Sequence, residues 1–132
     1  MKNKLVSIAL GLAIVMLLVS QSGQCLGSQL SLAISQADEI QVFKVDGDGS
    51  RLMAVHHRGT PEFDWLISEL QKASLRGTVM EVAPDVRIVF LSERNILYEA
   101  KYCSFDGRLQ GKNAKDILFL KPNLFDWYRL RQ

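Results

Sequence analysis

A single amphipathic helix, set between β-rich runs, does most to narrow what this chain can fold into. Thr60 stands as an N-cap, Pro61 falls at the first helical position, and Glu62 and Asp64 place negative charge in the first turn. Phe63, Leu66, Ile67, Leu70 and Ala73 recur at the spacing of one buried stripe, with Glu62, Glu69, Lys72 and Arg76 on or near the outer side. Gly77 is placed to end the helix in a left-handed conformation. One stripe must be buried against a second layer, and a sheet is the natural one.

The rest of the chain supplies strands for that sheet. The runs IQVFKV (40–45) and RLMAVHH (51–57) are joined by Asp46-Gly47-Asp48-Gly49-Ser50, whose Asp-Gly pairs suit a hairpin turn. TVMEV (78–82) and VRIVFLS (86–92) flank Ala83-Pro84-Asp85 and read as a second hairpin. NILYEAKYCSF (95–105) puts Tyr98, Ala100 and Tyr102 on one face and Glu99, Lys101 and Cys103 on the other, before a turn at Asp106-Gly107. DILFLK (116–121) is a strand that Pro122 ends, and the alternation in LSLAI (30–34) suggests an N-terminal strand or an extended leader. The expected fold is α+β, a mostly antiparallel sheet of five or six strands with one amphipathic helix packed on one face.

Ahead of this domain lies a different kind of sequence. Lys2 and Lys4 precede an apolar run of 15 residues from Leu5 to Val19, which gives way to Ser20, Gln21, Ser22 and Gly23. The run is shorter than the 18 or so residues of a spanning helix, so residues 1–27 read as a signal peptide or N-terminal membrane-targeting segment. Residues 28–132 then form a single exported domain, in the periplasm, secreted, or tethered on the outer side of the inner membrane. Three fates of Cys25 stay open: lipidation, removal by cleavage after Gly27, or retention after cleavage at Ser22, which leaves it available for a disulfide to Cys103. Gln24 is a poor residue to precede a lipidated cysteine.

Charge separates the two regions as well. The chain carries 16 Lys and Arg against 14 Asp and Glu, and Lys2 and Lys4 account for the whole excess. The domain itself is balanced, which argues against a nucleic-acid partner.

No catalytic or metal motif stands out. Asp46, Asp48 and Ser50 resemble the start of a calcium loop, but Arg51 occupies the position that needs glycine and His57 the position that needs glutamate. His56 and His57 are adjacent in a strand, so their side chains point to opposite faces and do not chelate one ion as a pair. GxSxG, HExxH, CxxC and Gly-rich phosphate loops are absent from the sequence, and no cofactor is implied. Cys103 fits a buried small hydrophobe, and a Cys-His nucleophilic pair has no local signature.

The residue types typical of protein contacts gather near the C-terminus. Phe125, Trp127 and Tyr128 sit beside Arg129 and Arg131, and Trp65 falls off the helical stripe, where half exposure is expected. Each also has a plain role in closing the core. The functional expectation is a small exported or envelope-associated domain that binds another protein as an inhibitor, accessory or assembly factor, with membrane contact only through the N-terminal segment or a lipidated Cys25. The alternative is a compact hydrolase-like enzyme using acidic residues or Cys103.

Overall fold

The structure, a computed structural model, describes residues 28–47, 49–112 and 117–126. The targeting segment, Cys25, and Trp127, Tyr128, Arg129 and Arg131 lie outside the described residues. In chain order the elements are α1 (Ser28–Gln36), β1 (Glu39–Asp46), β2 (Gly49–His57), α2 (Pro61–Gln71), β3 (Val86–Ser92), β4 (Asn95–Tyr102), β5 (Arg108–Gly111) and β6 (Leu118–Phe119).

The strands form one six-stranded sheet in the order β2-β1-β3-β4-β5-β6, with every neighbouring pair antiparallel. Register builds the core directly. Ile40 pairs with Phe90, Val42 with Ile88, and Ile88 in turn with Ala100, so these side chains stand in cross-strand rows on one face. Leu30, Ala33 and Ile34 of α1 and Phe63, Leu66 and Leu70 of α2 join them in a single hydrophobic cluster. Both helices therefore cover one face, α1 over β3 and β4 and α2 beside β2. The chain is α+β, as the sequence predicts, with two helices where one is expected.

The α2 start forms as its sequence dictates: the Phe63 N–H donates to the Thr60 hydroxyl at 3.3 Å. Between β2 and α2, Arg58 ties three elements together. Its guanidinium donates to the carbonyls of Ala37 (2.6 Å) and Ile34 (2.8 Å) at the C-terminal end of α1 and lies 4.8 Å from the centre of the Phe63 ring. A cation there satisfies orphan carbonyls and complements the helix dipole.

Four sequence expectations are corrected. Residues 30–34 are helical: period two would bury Leu32, but Leu32 is 53% exposed while Leu30, Ala33, Ile34 and Ala37 are buried at helical spacing. TVMEV (78–82) is no strand and makes no hairpin with β3, both of whose edges are taken by β1 and β4. The helix ends at Gln71, with Lys72 rather than Gly77 at its C-terminal cap. Gly77 has a different reason to be glycine, since a Cβ there would come within 2.3 Å of the Phe119 ring. Finally, of the described residues 117–121 only Leu118 and Phe119 form a strand, and they pair with β5, which the sequence does not announce.

Candidate interaction surface

Between α2 and β3, the chain runs without helix or extended strand from residue 72 to 85 as it crosses from one side of β1 to the other. A β-rich composition placed where no strand can pair leaves its apolar side chains in water. Leu75, Val79, Met80 and Val82 are all more than 40% exposed, and Phe105, in the β4–β5 turn, is 62% exposed. Isolated exposed apolar residues are ordinary, whereas a concentration of large ones on one segment is less common on a folded domain.

The segment is held in place. Asp106, its side chain only 3% exposed, accepts from the Met80 N–H at 3.1 Å and from the Arg108 N–H at 3.0 Å. Arg108, whose guanidinium lies 4.0 Å from Asp106, grips the same stretch, donating to the Met80 carbonyl (3.2 Å) and the Val82 carbonyl (2.6 Å). At the start of the segment, Ser74 exchanges two backbone hydrogen bonds with Phe119, at 2.9 and 2.7 Å. At its end, Asp85 accepts from the Ser104 N–H at 2.8 Å and lies 3.7 Å from the Lys44 ammonium.

Electrostatics follow from this geometry. Burial pulls the Asp106 carboxyl upward, but the Arg108 and Met80 N–H groups, the Cys103 thiol and the Arg108 charge together outweigh it and leave the group below its ordinary value. Asp106 is thus an anion serving as the hub of the clamp. Cys103 is a buried free thiol facing Asp106 and the carbonyls of Val82 and Ala83, at 3.9 and 3.8 Å. It packs beneath the segment.

The residues singled out from sequence are dispersed. Phe125 is buried and meets Tyr102 edge-to-face at 5.1 Å, so it belongs to the core. Trp65 is half-buried against the same core. His56 is buried and His57 exposed, on opposite faces as strand geometry requires, and His57 Nδ1 lies 3.5 Å from Glu39. Cys103 follows β4, three strand spacings from β2, or about 14 Å. The fold does not bring Cys103 and a histidine together as a nucleophilic pair.

Two surface hollows do not alter this picture. One, of about 430 Å³, lies between α1 and β4 and is lined by Leu32, Gln36, Ile96, Leu97 and Lys112 among others. The second, of about 320 Å³, is lined by Pro84, Glu99, Lys101, Arg108 and Gln110 among others. Neither contains Cys103 or a histidine. Among the described residues no group of three or more His, Cys, Asp or Glu is arranged to hold a metal ion, and no helix is long and apolar enough to cross a membrane. No family model, curated protein or solved structure matches this chain.

The clamp escapes sequence reading because its partners are far apart: Met80 and Asp106 are 26 positions distant. Asp106-Gly107 does signal a turn, and Gly107 adopts a positive φ of 78° where a Cβ would collide with the Leu120 carbonyl. A carboxylate that also holds a remote segment looks, in sequence, like any turn aspartate.

Proposed function

We propose that this chain is an exported or envelope-associated domain that binds another protein, and that Leu75, Val79, Met80, Val82 and Phe105 form its contact surface. The observation that carries the reading is an irregular apolar segment, exposed to water yet fixed by the Asp106 and Arg108 clamp. Ordering a free loop costs about 1–2 kcal/mol per residue. Covering the exposed part of a large apolar side chain returns on the order of 1 kcal/mol each. A loop ordered only upon binding would consume most of that return, whereas a clamped one retains it for affinity. Export is supported by Lys2, Lys4 and the apolar run from Leu5 to Val19.

The test is site-specific photo-crosslinking in cells, with the reactive group at Met80 or Phe105 and a control at Gln71 on the exposed side of α2. The reading expects one discrete adduct from the first two positions, absent from the control and lost when Val79→Asp is introduced. Equal crosslinking from all three positions, or an adduct indifferent to Val79→Asp, refutes it. Fractionation and the mass of the mature N-terminus test export separately.

A further inference from the structure

Among the described residues, the sheet has one long uncovered edge. β2 spans Gly49–His57, pairs among the described residues with β1 alone, and is exposed over most of its length. Its other side presents a row of backbone donors and acceptors, the arrangement that accepts an added strand. At the opposite border, β6 is two residues long and its outer side is bridged by Ser74.

Side-chain chemistry along β2 selects the occupant. Residues 49–58 contain Arg51, His56, His57 and Arg58 and no aspartate or glutamate. Arg58 is committed to the end of α1 and His57 faces Glu39, but Arg51 is exposed and has no ion-pair partner among the described residues. Opposite Arg51 in the register stands Lys44, another cation, whose own partner is Asp85. Leu52 and Val55 lie on the sheet face that the helices leave open, paired with Phe43 and Gln41, and are 47% and 37% exposed. A complementary strand therefore alternates apolar residues, to cover Leu52 and Val55, with carboxylates, to face Arg51.

A second copy of this chain fits less well. An antiparallel pairing centred on Ala54 would set Arg51 of each copy against His57 of the other. We infer that β2 is a docking edge for an extended, acidic and apolar segment of another protein, which adds to the sheet as a seventh strand. This edge is distinct from the exposed apolar stretch at Met80 and Val82, which Asp106 and Arg108 hold beside β5, on the far side of β1, β3 and β4 from β2.

The test uses the purified full-length chain in mild detergent and a short capped peptide alternating valine and glutamate. Two control peptides replace glutamate by lysine, or methylate the backbone nitrogens of the valines so that ladder hydrogen bonds cannot form. The glutamate peptide should bind at least about ten-fold more tightly than either control and slow amide exchange selectively within residues 49–57, and Arg51→Glu should reverse the preference between glutamate and lysine peptides. Equal binding of the glutamate and lysine peptides, or protection outside 49–57, overturns the inference. So does peptide-free dimerisation that protects these same amides, which would make a second copy the occupant.

Discussion

Replacing Asp106 by asparagine tests the clamp with almost no change in shape. The carboxylate accepts from two backbone N–H groups, at 3.1 Å from Met80 and 3.0 Å from Arg108, and lies 4.0 Å from the Arg108 guanidinium. Asparagine keeps one acceptor oxygen and turns an NH2 donor toward the other N–H, so at least one of these backbone donors loses its partner. A hydrogen bond to a charged group contributes about 1.5–3 kcal/mol, which sets the expected loss for Asp106→Asn at about 2–3 kcal/mol. For a domain of this size that lowers Tm by about 8–20 °C. Urea denaturation of both proteins reads the difference directly, and exchange of the Met80 amide should accelerate more than that of the β1 and β3 core.

The same substitution carries a pH signature. Asp106 is held below its ordinary value of 3.8, so the native state binds its proton less readily than the unfolded state. Its contribution is fully present above that ordinary value and is lost as pH falls through the depressed folded one. The gap between wild type and Asp106→Asn should be constant near neutrality and close below about pH 4. A loss under about 0.5 kcal/mol, or a gap unchanged down to acid pH, would refute the reasoning.

Other residues yield similarly direct expectations. Tyr102 donates its hydroxyl to the Lys121 carbonyl and accepts from the Leu124 N–H at 3.1 Å, so Tyr102→Phe should cost about 1–3 kcal/mol in urea denaturation. Burial, foremost, pushes its phenol up to about 12, so the wild type should lose stability as pH rises from 10 toward 12 and the variant should lose less. His56 is lowered from 6.5 by burial first, with Glu62 opposing and His57 adding. Stability should therefore fall as pH drops through 6.5 and level off below the folded value, a slope that His56→Gln removes in pH-resolved thermal melts. Glu93 and Arg94 turn between β3 and β4 with φ of 50° and 69°, so Glu93→Asn with Arg94→Gly should raise stability by roughly 1 kcal/mol.

What the sequence disclosed and what it withheld divide along a physical line. Local signals read well: the Thr60-Pro61 start, the stripe from Phe63 to Leu70 and the Asp46-Gly47 turn each depend on residues within a few positions of one another. LSLAI failed because a short run with Leu30, Leu32 and Ile34 satisfies period two while Leu30, Ala33, Ile34 and Ala37 satisfy period 3.6. TVMEV failed because strand composition says nothing about whether a free edge exists, and β3 has none. For the surface, the sequence pointed to aromatic residues. Phe125 serves the core, Trp65 is half-buried, and exposed apolar residues gather instead on a segment whose composition is that of a strand. Its anchors, Asp106 and Arg108, reach it across 26 and 28 positions, a distance at which no local pattern informs.

Protection of the clamped segment in its native setting tests the central claim most directly. Met80→Cys and Phe105→Cys, with Gln71→Cys as an exposed control, can be labelled by a membrane-impermeant thiol reagent in intact envelopes and again after purification. A partner seated on this surface predicts that labelling at positions 80 and 105 is at least about ten-fold slower in the envelope than in the purified protein, with position 71 unchanged. Equal rates in both settings at all three positions would contradict the account.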